Sequence, residues 1–228
     1  MHGRAGTVIA ALRDELDRSL FRPAQPRTLR LGGRRGALAL VGFLALAAAL
    51  QLLRTGPGSI GTLFAEDGGV YLAGGLDHGL LDSLTSPYAG YLVVIPRLLG
   101  ELGADLPLRL APQAMNLGAV LLVGLSAVAV WVASAGLVRS TYLRVLLVAL
   151  TLLPPASGLE TVVTATNVPW YTGFATFWLL LWKPEKTWSA ALGGLLILFS
   201  GLSSPTFLFF LPLAGLRAIA ARARRDGL

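Results

Sequence analysis

Apolar residues in this chain gather in long runs that are separated by short polar or glycine-rich segments. The first run covers residues 37–53, and the second covers residues 115–138. An α-helix rises about 1.5 Å per residue, so roughly 20 apolar residues cross the hydrocarbon core of a bilayer. Both runs therefore predict helices that cross a membrane.

Three later apolar runs are shorter or interrupted, and they cover residues 143–153, 168–182 and 189–216. The first of these stops before Pro154, and the last is broken by Ser203, Ser204 and Pro205. Proline lacks a backbone N–H and disfavours a helical conformation in the residue before it. The last run is therefore either one kinked helix or a hairpin of two short helices.

The distribution of arginine and lysine chooses between these two alternatives. Residues 1–36 carry a net charge of +5 and residues 217–228 one of +3, whereas residues 54–111 carry −3. Basic residues in short flanking loops stay on the cytoplasmic side of a membrane. All positive segments lie on one side only if residues 189–216 cross twice. We therefore predict an all-α, polytopic transmembrane helical bundle of about six crossings in the inner membrane, with both termini in the cytoplasm.

This topology divides the chain into three parts. Residues 1–36 form a basic cytoplasmic arm, residues 37–216 the transmembrane domain, and residues 217–228 a basic cytoplasmic tail. The arginines of the arm lie directly before the first apolar run, which favours an anchor over a cleaved signal peptide. We expect anionic membrane lipids as the partners of this arm.

Composition agrees with a membrane protein and excludes several other classes. Hydrophobic residues make up 54% of the 228 residues and charged residues 14%, against about 25% charged in soluble domains. The chain has no cysteine and two histidines, so no metal site is predicted, and the sequence indicates no cofactor. The net charge of +7 lacks the interleaved aromatic residues of single-strand binders, so no nucleic-acid partner is expected.

The first outer loop, residues 54–112, contains most of the candidate chemistry. Glu66 and Asp67 are adjacent carboxylates followed by two glycines, which let the backbone turn tightly. Leucine spacing predicts helices over residues 71–84 and 93–102, both lying in the membrane interface. A turn over residues 86–91, with Tyr88 and Tyr91, connects them.

Each polar candidate in this loop has a functional and a plain interpretation. Asp67 is a candidate general base supported by Glu66, and the alternative is a solvated pair at a helix exit. The Arg97 guanidinium suits a phosphate, and the alternative is an interfacial side chain that reaches toward water. Tyr88, Tyr91 and His78 are candidate substrate contacts, although His78 also fits a solvated helix residue.

The second outer loop adds Glu160 and Asn167. These residues are seven positions apart, so in a helix both would face one cavity, where they could position donor or acceptor. Asn167 equally fits a helix N-cap. The segment 203–206 is expected to be a simple hairpin turn.

Taken together, these outer segments resemble a group of actinobacterial membrane proteins related to the GT-C glycosyltransferases. The resemblance covers about residues 60–212 and is carried by short pieces in a given order. These are Ala65-Glu66-Asp67-Gly68 with Tyr71, Pro87-Tyr88-Ala89-Gly90-Tyr91 with Pro96-Arg97, Leu153-Pro154 with Glu160, and Asn167 with Trp170-Tyr171. The chain departs from that group in having fewer crossings and Ser204 where an acid is usual.

The resemblance implies an active site at the outer face, a polyprenyl-phosphate sugar donor and an acidic base in the first outer loop. The function expected from it is transfer of a sugar from that donor to an extracytoplasmic acceptor. Two alternatives remain open. The chain could be a non-catalytic membrane partner or transporter subunit for lipid-linked glycans, with a second membrane subunit, or a truncated GT-C fragment.

Overall fold

The computed structural model describes residues 15, 19–21, 33–154 and 163–225, and within these ranges the fold is entirely helical. The helices are α1 (Gly33–Thr55), a π-helix (Asp67–Leu72) that continues into α2 (Ala73–Asp77), α3 (Leu80–Thr85), α4 (Val94–Ala104), α5 (Ala111–Ala133), α6 (Thr141–Leu152), α7 (Val168–Leu181), α8 (Thr187–Gly201) and α9 (Leu211–Arg225). Each predicted apolar run coincides for most of its length with one of these helices or, for the last run, with two. Residues 189–216 are thus divided between two helices, as the hairpin interpretation expects.

Two helices in the described part of the chain are long and apolar enough to cross a membrane. One is α1, and the other is the 29-residue stretch Leu108–Gly136 that contains α5. The apolar helices Thr141–Leu152, Thr187–Gly201 and Pro205–Ala220 are shorter. At about 1.5 Å per residue, the 12 residues of α6 reach only about 18 Å. The predicted six crossings are therefore not supported, because the charge pattern assigns a side to each loop but does not give a helix its length.

Helix α5 is the centre of the bundle and packs against α1, α4, α6 and α7. Near its first turns, Met115 and Ala119 join Tyr71, Leu99 and Val168 in one apolar core. Toward its other end, a second core forms between α1, α5, α6 and α7. Fully burying one side chain of the size of Met115 stabilises a fold by about 1.5–3 kcal/mol. These cores fix the end of α5 on which the first outer loop lies.

The first outer loop folds as a layer of short helices over that end of α5. Close backbone contact holds this layer together, because a Cβ at Gly100 of α4 would lie 2.3 Å from the carbonyl oxygen of Tyr71. A Cβ at Gly118 of α5 would lie 2.5 Å from Leu99 Cδ2. Only glycine permits the backbone approach at Gly100, and a side chain at position 118 would displace Leu99, so α4 lies directly against both the π-helix and α5.

The predicted single helix over residues 71–84 is interrupted. Helix α2 ends at Asp77, and α3 begins at Leu80, with extended backbone at His78 and Gly79. Gly74, Gly75 and Gly79 lower helix propensity across this stretch, an effect that leucine spacing does not register. The leucines of the predicted apolar face stay largely outside the core, with Leu76 and Leu80 both 51% exposed.

The predicted arm and tail are described only in part. Of residues 1–36, the ranges 1–14, 16–18 and 22–32 lie outside the described residues. Helix α9 runs without a break from Leu211 through Arg217, the first residue of the predicted tail.

Candidate functional site

The adjacent carboxylates lie at the start of the π-helix. Ala65 precedes them with a φ of +47°, a left-handed conformation that is unfavourable for a residue with a side chain. Glu66 is the N-cap residue, and Asp67 opens the six-residue π-helix. Backbone strain and π-helical turns concentrate at functional sites, where they direct side chains that regular helices would point elsewhere. Here they place two neighbouring carboxylates in different environments.

Asp67 is fully buried and holds the segment that precedes α7. Its Oδ2 accepts a hydrogen bond from the backbone N–H of Ala165 at 2.8 Å. Its Oδ1 accepts bonds from the backbone N–H of Thr166 at 2.9 Å and from the Thr166 hydroxyl at 2.7 Å. Burial raises the pKa of the Asp67 carboxyl, while the bonds from Thr166 and Ala165 act in the opposite direction. Both oxygens are thus engaged with groups 98 and 99 positions away in the chain.

Glu66 is half-buried at the edge of the same site. The Tyr88 hydroxyl donates a hydrogen bond to Glu66 Oε1 at 3.3 Å. Tyr88 belongs to a tight turn in which it exchanges backbone bonds with Tyr91, of 2.8 and 3.2 Å. Ala89 and Gly90 between them have φ values of +54° and +86°, as in a type I′ turn. The predicted turn with two tyrosines therefore presents one of them to a carboxylate.

Tyr71 fills the space between the two carboxylates and the turn. It is 1% exposed, and its ring lies edge-on to that of Tyr88 with 6.2 Å between centroids. Burial raises the pKa of Tyr71 to about 12, and the nearby Glu66 and Asp67 contribute in the same direction. Its hydroxyl therefore stays protonated at physiological pH. Asp67, Glu66, Tyr71, Tyr88 and Thr166 together form what we call the carboxylate site.

Arg97 lies on α4, next to α2. Its side chain is 5% exposed, and its Nε–H has no acceptor among the described residues. A Cβ at Gly74 would lie 2.9 Å from Arg97 Nη1 and 3.8 Å from the hydroxyl of Ser83, which is itself fully buried without a described partner. Glu101, one turn later on α4, also has a buried oxygen without a described donor, so it does not pair with Arg97.

Gly74 is seven residues after Asp67 in the same continuous helical segment, about two helical turns further along it. Arg97 is therefore a neighbour of the site and not a direct contact of its carboxylates. The alternative of an interfacial side chain that reaches toward water does not describe Arg97, since its whole side chain is buried.

The other predicted candidates are placed less centrally. His78 is exposed at the C-cap of α2. Asn167 occupies the N-cap position of α7, yet its side chain makes no capping bond and its amide donates to the Thr164 hydroxyl at 3.0 Å. Asn167 is next to Thr166 and so borders the carboxylate site. Glu160 lies outside the described residues.

Three residues that are not among the predicted site residues help to position the site. Thr166 binds Asp67, as described above. Asn116 of α5 is 1% exposed, and its amide donates to the carbonyls of Ser59, Ile60 and Thr62 at 3.1, 3.1 and 2.9 Å. Ser203, in the expected hairpin turn, accepts a bond from the backbone N–H of Ile95 at 2.8 Å and so holds the start of α4. A buried asparagine in an apolar helix is the one signal that could have been read in advance.

Among the described residues, no three histidine, aspartate or glutamate side chains converge as they would around a metal ion. Comparison with protein-family models, with curated proteins and with solved structures gives no significant match. The carboxylate site is therefore interpreted from its own chemistry.

Proposed function

We propose that this chain is a membrane glycosyltransferase that moves a sugar from a polyprenyl-phosphate donor to an acceptor outside the cytoplasm. The observation that carries the proposal is the pair of adjacent carboxylates in unlike environments, surrounded by tyrosines and followed by a buried arginine. Paired carboxyl groups held in different environments are a recurrent arrangement for proton transfer.

Placement in the inner membrane rests on helix α1. Its most apolar 18-residue window has only 17% of its residues buried, and large apolar side chains such as Leu38 and Val41 are 63% and 64% exposed. A helix that is apolar all round and not covered by protein is suited to hydrocarbon and not to water. The charge pattern then favours the arginine-rich ends on the cytoplasmic side and the carboxylate site on the outer side.

The proposed reaction requires a base and a phosphate contact. The acceptor hydroxyl oxygen bonds to the anomeric carbon of the sugar, the bond from that carbon to the phosphate oxygen breaks, and polyprenyl phosphate leaves. The hydroxyl proton passes to a carboxylate. A positioned base of this kind contributes about 10²–10⁴-fold to the rate.

The two carboxylates differ in how accessible they are to an acceptor, and this difference separates their proposed roles. Asp67, the base expected from the sequence, has a raised pKa but no exposed surface and two engaged oxygens. Glu66 is half-buried and has a single described contact, with Tyr88. We assign proton acceptance to this pair, with Glu66 as the group that an acceptor reaches first and Asp67 as the group that holds residues 165–166 beside it.

Arg97 is assigned to the donor phosphate. Its guanidinium and the Ser83 hydroxyl both lie beside Gly74 and supply donors that have no described acceptor. A guanidinium fork matches two phosphate oxygens, and buried donors of this kind are stabilised by an anion. Asn167 and Glu160 would position the acceptor. Tyr91 and His78 would lie at the margin of the substrate-binding site.

The test is sugar transfer from a panel of polyprenyl-phosphate sugars, in membranes that contain matched amounts of each variant. Glu66→Gln and Asp67→Asn should each lower turnover by about 10²-fold or more if the pair is the base. Arg97→Lys keeps the charge but loses the fork, so it should weaken donor binding more than turnover. Asp77→Asn, an exposed acid of α2, is the matched control and should transfer at the wild-type rate. Equal transfer by Glu66→Gln, Asp67→Asn and wild type would overturn the assignment.

One observation favours the second candidate, a non-catalytic partner for lipid-linked glycans. Both oxygens of Asp67 are engaged with residues 165–166, as expected of a structural tie between two outer segments. If no donor in the panel is used by the wild type, while a second membrane subunit restores transfer, this interpretation replaces the first.

A further inference from the structure

The first turn of α4 is buried and begins without a capping side chain of its own. Residues 93–97 are all buried. The N-cap residue is Val93, whose side chain has no hydrogen-bond acceptor. The N–H groups of a first helical turn have no partner within their helix, and in a buried position they need one from elsewhere. The start of α4 therefore depends on another part of the chain for its cap.

The turn between α8 and α9 supplies these partners. The backbone N–H of Val94 donates to the Leu202 carbonyl at 3.3 Å. The backbone N–H of Ile95 donates to the Ser203 hydroxyl oxygen at 2.8 Å. Ser203 is 2% exposed, and its own hydroxyl donates to the Phe199 carbonyl at 2.6 Å, which leaves its lone pairs for Ile95. A serine 108 positions away thus performs the task of an N-cap side chain.

This cap lies directly before the residue that we assign to the donor phosphate. Pro96 has no N–H, and the N–H of Arg97 donates to the Val93 carbonyl at 3.0 Å, as in a regular helix. Arg97 is two residues after the capped Ile95 and belongs to the same helical turn. Its guanidinium occupies a narrow position, since a Cβ at Gly74 would lie 2.9 Å from Nη1. A displacement of the start of α4 would therefore change where the guanidinium lies.

We propose that Ser203 is a positioning residue for donor binding, which acts on the donor phosphate through the first turn of α4 and Arg97. The proposal rests on the proposed function, in which Arg97 contacts that phosphate, and extends the donor site to the α8–α9 hairpin. The segment 203–206, expected from the sequence to be a simple hairpin turn, then contributes to donor binding without contacting the donor itself.

Amide hydrogen exchange tests the cap without reference to activity. Ser203→Ala removes the acceptor for Ile95, so exchange at residues 94–95, measured by mass spectrometry on the protein in detergent, should become about fivefold faster. Ser204→Ala is the matched control, because the described hydrogen bonds of the Ser204 side chain are to Thr206 of the same turn. If Ser203→Ala fails to fold, Ser203→Cys keeps a side chain of similar size with a weak acceptor and should show the same acceleration. Unchanged exchange would overturn the proposal.

Binding of undecaprenyl phosphate to the purified protein tests the link from Ser203 to Arg97. We expect Arg97→Gln to weaken binding about tenfold and Ser203→Ala about fivefold. Because both residues act through one contact, the double variant should bind no more weakly than Arg97→Gln alone. Independent effects would instead multiply to about fiftyfold, which is the pattern expected of a serine that only stabilises the fold. Ser204→Ala should bind as the wild type does.

The outcomes separate this proposal from the proposed function. Faster exchange together with a loss of binding that does not add to that of Arg97→Gln would support the role of Ser203. If the wild type binds undecaprenyl phosphate and Ser203→Ala binds it equally well, or if the two losses multiply, this proposal alone is overturned. If the wild type binds no better than Arg97→Gln, the assignment of Arg97 to the phosphate is wrong, and the proposed function is overturned as well.

Discussion

The two ends of the bundle are held together in opposite ways. The carboxylate end, which comprises residues 59–104 and 163–168, is fixed by long-range polar bonds and by glycine contacts between backbones. The arginine end, which comprises the first turns of α1 and α6 and the last turn of α5, has apolar walls and charges of a single sign. Buried polar bonds specify one geometry, whereas apolar packing tolerates substitutions of similar volume. A preorganised reaction site needs the first of these properties.

The largest expected effect is at the backbone contact between α4 and the π-helix. Gly100→Ala would place a methyl group 2.3 Å from the Tyr71 carbonyl oxygen, which cannot move without displacing the carboxylate end. We expect the free energy of unfolding to fall by about 3 kcal/mol or more, measured by thermal unfolding in detergent. Gly194→Ala is the control, because a Cβ there meets nothing within 4 Å in helix α8. It should be neutral or raise stability by up to about 1 kcal/mol.

Asn116→Ala is expected to cause the next largest loss of stability, because it removes one amide that donates to three carbonyls. The loop over residues 59–62 would lose its attachment to α5. A loss of about 2–3 kcal/mol is expected from the unpaired buried carbonyls. Ser126→Ala, also fully buried in α5, should lose only about 0.5 kcal/mol, since its hydroxyl binds the Leu122 carbonyl within the same helix. Similar losses in the two variants would contradict the special role of long-range ties at the carboxylate end.

The sequence predicted the positions of the helices well, but among the described residues only two helices are long and apolar enough to cross a membrane. Apolar runs located α1, α5, α6, α7, α8 and α9, because hydropathy reflects which stretches avoid water. The predicted six crossings are not supported, because positive charge at Arg139 or Lys183 indicates the side on which a loop lies and not the length of a helix. The break at His78 and Gly79 was missed, because leucine spacing continues across it.

The carboxylate site could be predicted only as a set of candidates. Glu66 was found because it adjoins Asp67, and Tyr88 was found because it lies in a short turn with a second tyrosine. The backbone partners of Asp67 could not be found, because N–H groups at Ala165 and Thr166 carry no side-chain signal. Burial of Arg97 was likewise unexpected, since it depends on Gly74 of another helix.

Asp67→Asn tests the burial of the carboxyl through pH. The pKa of Asp67 in the folded protein is raised above its ordinary value of 3.8, so the folded state holds the proton more strongly than the unfolded state. Its contribution to stability is therefore full at low pH and is lost as the pH rises through the raised value. Relative to Asp67→Asn, the wild type should unfold at a progressively lower temperature as the pH rises above 3.8. The opposite trend would show that the three hydrogen bonds outweigh burial and lower the pKa.

The smallest expected effect on stability is that of Tyr88→Phe. The variant removes the 3.3 Å bond to Glu66 and keeps the edge-on ring contact with Tyr71. Because Tyr88 is half-buried, water replaces the lost bond, and the free energy of unfolding should change by about 0.5 kcal/mol or less. The rate of sugar transfer should fall more clearly than the stability does. A bound substrate excludes that water, and a bond to a charged group is then worth about 1.5 kcal/mol, or roughly tenfold in rate.

Tyr142→Phe is the matched control at the arginine end. Tyr142 is 88% exposed, so neither unfolding nor transfer should change. If Tyr88→Phe instead lowers the unfolding temperature as much as Asn116→Ala does, then the Tyr88–Glu66 bond belongs to the structural ties of the carboxylate end. Glu66 Oε1 would in that case be committed to holding the turn that carries Tyr88. The non-catalytic interpretation would then fit both carboxylates, because each would be engaged in holding one outer segment against another.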